Sequence, residues 1–356
     1  GWFPPVTPGT QYVTLGGMVA ADVHGKGHHS AGCFGSGHVR NLKLRVADGR
    51  VIDCSPEVEP DLFRATVGGM GLTGHILEVE FGMRAVPSPW IWSESRRCRN
   101  IEEFIETIDS VHSEWPYGVG WIDCLSQGPN MGRGILDYGR WATAEEAGGK
   151  PLPKRPGIPI PFQMPSWVLG PLSVRTFNTL YYHQHVARLR CHGLRHPASF
   201  FYPLDTFLNW NRLYGRRGFT QYQCVLPRSA GRGAARTFLE LLTSKGGASF
   251  LCVIKDTGGE GQGLLSFPKP GITIALDIAV RDTTQALVDS LNELVISLGG
   301  RIYLAKDGFT RAEHYRAMEP RLDEFLTIRR RFDPELKFRS AQSVRVLGDP
   351  AVQAET

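Results

Sequence analysis

The sequence predicts an α+β protein built of two packed units. Three observations carry that expectation. A chain of 356 residues exceeds the usual size of a single domain. The run His75 to Met83 alternates as a half-buried strand does, with Ile76, Leu77, Val79 and Phe81 set against Glu78 and Glu80. After Pro87 and Pro89, strand-like runs alternate with helical ones, the pattern of a sheet covered by helices.

Taken in order, Tyr12 to Leu15 reads as a strand, which Gly16-Gly17 ends and the small residues Met18 to Ala21 continue. Asp22 to Gly35 follows, reading DVHGKGHHSAGCFG, with four glycines and three histidines around Lys26. Glycines let backbone N–H groups come close to a flat or phosphorylated ligand, and His24 and Lys26 add donors there. An ordinary Gly-rich surface loop is the plainer alternative. Strands are expected at Leu42 to Val46 and Arg50 to Cys54, joined by an Asp48-Gly49 turn. A helix at Pro60 to Val67 begins beside Glu59 and Asp61, acidic residues suited to a helix N-terminus. The second unit has helices at Ile101 to Ser113, Gly233 to Ser244 and Thr283 to Leu298. Its strands are Gly118 to Asp123, Thr220 to Leu226 and Thr273 to Val280. Between them, Lys150 to Pro171 holds seven prolines and reads as a long loop.

Composition excludes several classes. Hydrophobic residues make up 42% of the chain, ample for buried cores. No apolar run of about 18 residues occurs, so no transmembrane helix is expected. The opening GWFPPVTPGT shows no signal peptide, lacks an initiator Met, and reads as a chain missing its start. A net charge of +5 is mild, and the arginines at 329–331 and at 188, 190 and 195 read as solvated faces, so nucleic acid is not an expected partner. Seven dispersed cysteines form no CxxC pair, which fits a reducing compartment better than a disulfide framework. His183, His185, Cys191, His192 and His196 match no zinc spacing; a helix with basic and aromatic residues explains them, and no metal is expected. Gly69 to Gly74 spells GxGxxG, but a helix precedes it and a strand follows, the reverse of a dinucleotide-binding fingerprint.

Across nearly the whole chain, PGTQYVTLGG, DVHGKGHHSAG, ATVGGMGLTGHI, FYPLDTFLNWNRLYG, QYQCVLP, LLSFPKPG and GGRIYLAKD resemble one family. It is that of the flavoprotein oxidases of decaprenylphosphoryl-β-D-ribose, within the vanillyl-alcohol-oxidase superfamily. The resemblance implies a PCMH-type FAD-binding domain with an inserted antiparallel-sheet substrate domain. Residues 1–87 would be the second part of the FAD domain, 88–300 the substrate domain, 301–349 a segment returning to the FAD domain, and 350–356 a tail. The family's first FAD subdomain has no counterpart here, which implies weaker flavin retention by this piece than by a longer chain. The implied reaction is oxidation of the sugar's 2′-hydroxyl to a ketone, the first half of an epimerisation that supplies the arabinose donor for cell-wall arabinan. An NAD-dependent short-chain reductase is the implied partner, and peripheral membrane contact from the cytoplasm or periplasm is compatible with a polyprenyl-phosphate substrate. Two alternatives stand beside it: another sugar or alditol oxidase of the superfamily, and a degenerate flavoprotein that binds a partner without turnover.

The same resemblance assigns residues. Gly9, Thr10, Gly16 and Gly17 would line the pyrophosphate and ribityl chain. Ala21, Val23, His24 and Gly25 would flank the flavin, and Gly71 and Ile76 would touch the adenosine half. Lys26 would stand at the substrate entrance; Trp210, Gln221, Gln223 and Lys255 would face the pocket; Lys306 would reach the flavin. Oxidising a secondary alcohol with a flavin leaves negative charge on the ring, so a fixed cation such as Lys306 is stabilising. The alcohol proton needs an acceptor, for which Lys255, Lys306 and His24 are the candidates. Gln221 and Gln223 alternate on one strand and so share a face. The chain departs from the family at Phe201 and Tyr202 (Tyr and His there), Thr273 (Asn) and Ala275 (Cys).

Overall fold

The computed structural model describes residues 1–184 and 190–351. Three strands, β1 (Val39–Arg45), β2 (Val51–Cys54) and β3 (His75–Phe81), form an antiparallel sheet in the order β2-β1-β3. One face of β1 buries Leu42 and Leu44 completely, while Lys43 pairs with Glu78 on the other. In β3, Ile76, Val79 and Phe81 are half-buried as its sequence announces, whereas Leu77, expected with them, is exposed.

Eight strands make the larger sheet. In chain order they are β4 (Ile91–Cys98), β5 (Tyr117–Ile122), β6 (Gly134–Trp141), β7 (Arg190–Arg195), β8 (Phe219–Pro227), β9 (Cys252–Thr257), β10 (Gly271–Ala279) and β11 (Arg301–Ile302). Their order in space is β7-β4-β6-β5-β9-β10-β8-β11, antiparallel throughout. The fold is therefore mixed α and β with an antiparallel sheet, as expected.

The helices that carry the argument are α1 (Leu15–Ala20), α2 (Pro60–Thr66), α3 (Ile101–Val111), α4 (Ala234–Ser244) and α5 (Thr284–Ser297). Phe238, Leu239 and Leu242 of α4, with Val288, Leu291 and Val295 of α5, join one core with Tyr222, Cys224, Ile274 and Leu276 of the sheet. Burying a side chain of that size contributes about 1.5–3 kcal/mol. After β11, the helix Leu322–Phe332 packs on α2, and Arg64 and Arg331 pair across that contact with Glu324 and Asp61.

Several expectations need correction. Tyr12 to Ala21 is not a strand: Thr14 caps α1, its Oγ1 accepting the Gly17 N–H at 3.0 Å, and the buried Met18 and Val19 hold the helix against the core. Tertiary burial here overrides the poor helix propensity of two adjacent glycines. The segment around His192 is strand β7 rather than helix, paired along β4; His185 and Arg188 lie outside the described residues. Arg329 is not solvated. It is wholly buried, forms a forked ion pair with Asp349 at 2.9 and 2.7 Å, and donates to the Leu72 and Phe338 carbonyls. The proline-rich loop contains a two-residue parallel pairing, Ile158–Pro159 with Phe207–Leu208, and a single 3-10 turn at 166–169.

Candidate functional site

Antiparallel register sorts the central strands into two faces. Gln221, Gln223 and Val225 stand opposite Asp277, Ala275 and Thr273 of β10, and Val253 and Lys255 of β9 stand opposite Ala275 and Thr273. These residues form one polar face. The intervening residues belong to the helix-covered core.

The Gly-rich loop lies against this polar face. Gln223 Nε2 is 2.9 Å from His24 Nε2 and 3.1 Å from Thr273 Oγ1, whose own hydroxyl donates to the Cys224 carbonyl. The glutamine's two amide hydrogens are then both used, and His24 Nε2 accepts one of them. His24 is thereby the Nδ1–H tautomer, and its buried Nδ1 has no partner among the described residues. Phe267 and Tyr303 pack on the imidazole with ring centroids 5.2 and 4.9 Å away. Burial first, then Lys255, His28 and Lys306, push the His24 pKa well below its ordinary value, so the ring is neutral.

Glycine is required at two loop positions. A Cβ on Gly25 would stand 2.6 Å from the Thr7 carbonyl oxygen, and one on Gly27 would stand 2.6 Å from that of Pro116. The loop is fixed underneath by Asp22, which accepts from the Gly35 and Ser36 amides at 2.8 and 3.1 Å and from the hydroxyls of Ser36 and Ser266. Asp22 is fully buried with φ +39°, and Tyr303 Oη adds a bond to the Ala21 carbonyl at 3.1 Å.

Three lysines converge on this region electrostatically. Lys255 Nζ donates to the Gly25 carbonyl at 3.2 Å. Burial, followed by Lys306 and Lys26, drives its pKa well below the ordinary lysine value. Lys306 is also lowered by burial, but the Asp277 carboxylate opposes that shift. Lys26 is brought down to about 8 by burial and by Arg195, with Asp137 opposing. Asp277 in turn accepts from Gln221 Nε2 at 2.9 Å and Tyr214 Oη at 3.0 Å.

Of the residues singled out from sequence, the structure brings His24, Gly25, Gln223 and Lys255 into one hydrogen-bonded group, with Gln221 on the same face. Lys26 and Lys306 lie within electrostatic reach. Trp210 packs on Phe219 at 4.8 Å, at the Gln221 end of β8. Ile76 lies against Gly16, 3.7 Å from where a Cβ would be, and Gly17 receives the Thr14 cap. Gly71 occupies a left-handed turn at φ +76°, and Thr10 Oγ1 accepts from Tyr12 N–H. Val23 is buried, Ala21 half-buried, and Gly9 open to its surroundings. Of the departures, Phe201 is buried among Ile91, Tyr117, Trp141 and Phe200, while Tyr202 Oη bonds Thr7 Oγ1 at 2.6 Å.

Sequence reasoning missed Asp277, Asp137 and Tyr303. Asp277 had a signal: it interrupts the apolar run ITIALDIAV in phase with Ala275 and Thr273. The other two are visible only once the strands are paired.

A neutral histidine and depressed-pKa lysines under a glycine loop are the equipment of an enzyme site rather than of a structural module. No protein-family model matches the chain. Over 355 residues it is 35% identical to a decaprenylphosphoryl-β-D-ribose oxidase of Mycolicibacterium smegmatis, covering 97% of this chain and 76% of that protein. It is 32% identical to an uncharacterized protein of Streptomyces coelicolor, covering 96% and 94% of the two chains. The chain belongs to the decaprenylphosphoryl-β-D-ribose oxidase family.

Proposed function

We propose that this protein oxidises the 2′-hydroxyl of decaprenylphosphoryl-β-D-ribose to the 2′-keto sugar with FAD as cofactor. The observation that carries the reading is the polar sheet face, where a glutamine-held His24 and the depressed Lys255 meet the Gly loop in a family of ribose oxidases.

The residues present fit a flavin. His24 Nδ1–H is a buried donor without an acceptor among the described residues, suited to a ring nitrogen or carbonyl. Gly25, Ala21 and Val23 offer backbone beside it, and Gly9, Thr10, Gly16, Gly17, Gly71 and Ile76 would extend the contact toward the pyrophosphate and adenosine. FAD, when bound, accepts the hydride equivalent from the sugar carbon.

The chain's own residues divide the remaining work. His24 serves as a donor, because its Nε2 lone pair already accepts from Gln223. Lys255 has the strongly depressed pKa that a proton acceptor requires. Lys306, with Asp277 favouring its charged form, supplies the fixed cation. Gln221 is oriented by Asp277, and its carbonyl would accept from a sugar hydroxyl. Trp210 walls that end, and Lys26 meets the phosphate at the entrance.

In this reading residues 1–87 and 301–349 form part of a PCMH-type FAD domain and 88–300 the inserted substrate domain. A short-chain NAD-dependent reductase takes the keto sugar onward to the arabinose donor. No described helix is long and apolar enough to cross a membrane, and a peripheral contact would serve the polyprenyl chain. The test is anaerobic addition of decaprenylphosphoryl ribose, or of a soluble ribose phosphate, to the flavin-loaded full-length protein. Bleaching by the polyprenyl sugar alone supports the assignment. Bleaching by the soluble sugar alone would move the protein to a different sugar oxidation.

A further inference from the structure

Outside the polar face, the fold gathers His29, His112 and Asp256, whose ligand atoms all lie within 4.8 Å of one another. They come from three elements: the short helix His28–Ala31, the residue closing α3, and strand β9. The His29 and Asp256 side chains are 4% and 5% exposed, and that of His112 is 36% exposed.

His29 Nε2 lies 2.9 Å from the Trp115 carbonyl oxygen, an acceptor, so that nitrogen carries the hydrogen. Nδ1 faces Asp256 Oδ1 at 3.4 Å, an ion pair when that nitrogen is protonated, and among the described residues it makes no hydrogen bond. His112 Nδ1–H donates to the other carboxylate oxygen, and the two imidazoles stand 4.2 Å apart between centroids. Two imidazole nitrogens and a carboxylate thus converge on one small volume, where a metal ion would take the place of the protons the histidines now direct at Asp256. A backbone carbonyl holding the far nitrogen of a metal-bound histidine is a common supporting contact. Beside the cluster is a cavity of about 10 Å³, also lined by Trp115, Tyr117 and Lys255, close to the room one water ligand needs.

We propose that His29 Nδ1, His112 Nδ1 and the Asp256 carboxylate bind one divalent transition-metal ion, with Zn²⁺ the best match to two nitrogens and an oxygen. The partly exposed His112 gives the ion its way in. The ion ties the Gly-rich loop and the end of α3 to the strand carrying Lys255, so its role is to position that lysine. The three ligands are far apart in sequence, beyond any spacing rule for metal sites.

The test is calorimetric titration of ZnCl₂ into chelator-treated protein at neutral pH, repeated with CoCl₂ while following visible absorption. The expected result is one saturable Zn²⁺ per chain and a Co²⁺ spectrum of low-symmetry, four-coordinate type. His112→Ala, at a half-exposed helix end, is expected to keep its circular dichroism and lose at least about a hundredfold in Zn²⁺ affinity. Asp256→Asn gives a second, independent loss. Absence of saturable Zn²⁺ binding in the native protein would overturn the site and leave a proton between His29 and Asp256. Undiminished binding in His112→Ala would overturn it equally.

Discussion

The two faces of strands β8, β9 and β10 are built from the same backbone and differ in every other respect. Toward α4 and α5 the strands present Tyr222, Cys224, Cys252, Ile254, Ile274 and Leu276, all buried in one apolar core. Toward the Gly loop they present Gln221, Gln223, Lys255, Thr273, Ala275 and Asp277, tied by side-chain hydrogen bonds and carrying charges that burial makes costly. The period of two along a strand separates them, so a residue and its neighbour serve different ends. One face supplies folding free energy, and the other spends it on charge held ready for chemistry.

The largest expected effect tests the apolar face. Ile274→Ala should lower unfolding free energy by about 2–5 kcal/mol, because the fully buried site cannot collapse around the gap. Denaturant unfolding measures this, and a cost below about 1 kcal/mol would break the division. On the polar face, Lys306→Ala should leave the melting temperature nearly unchanged. Its effect should be on flavin reduction, slowed by about a hundredfold or more as one preorganised charge is lost. Stopped-flow reduction at the native rate would show that the charge is met elsewhere.

Lys26 sharpens the comparison through pH. With its folded pKa near 8 against an ordinary 10.5, the folded state binds fewer protons than the unfolded state between those values. Stability therefore rises as pH climbs through that window, and the cost of the buried charge is present in full below it. Activity should move the other way: kcat/KM for a phosphorylated sugar falls as pH passes about 8 and Lys26 loses its charge. Lys26→Arg should shift that limb to higher pH, since a guanidinium stays protonated. The smallest effect is a label. Ala275→Cys should cost little stability and should react with a thiol reagent in the native protein, whereas the fully buried Cys224 and Cys252 stay unreactive. Intact mass spectrometry counts the adducts, and modification at Cys252 without unfolding would contradict the facing of β9.

How far the sequence foretold this follows from the range of the interactions. The strands and the α3 to α5 helices were legible because alternation and helical spacing are local, and so was the shared face of Gln221 and Gln223. Tyr12 to Ala21 misled because its β-branched residues and paired glycines disfavour a helix that only the burial of Met18 and Val19 secures. Arg329 misled because its partner Asp349 arrives from beyond the helix that carries it. His112 and Asp256 stand 144 residues apart, so no motif could join them. The site roles of Lys255 and Lys306 were visible only through resemblance, since a lysine in isolation reads as surface.

The anchoring of the Gly loop also bears on how the molecule is made. Asp22 bonds Ser266, which is 244 residues downstream; Ala21 is held by Tyr303, 282 residues away; and His24 waits for Gln223. During synthesis this segment leaves the ribosome long before these partners exist. Strands β1 to β3 can pair early through nearby contacts, but the loop between α1 and β1 has nothing to close upon until β8 and then Tyr303 emerge. Contacts of such long sequence separation form slowly and late. The nascent chain therefore carries an unfinished glycine segment until Tyr303, 282 residues on, has been added, and the binding surface takes shape late.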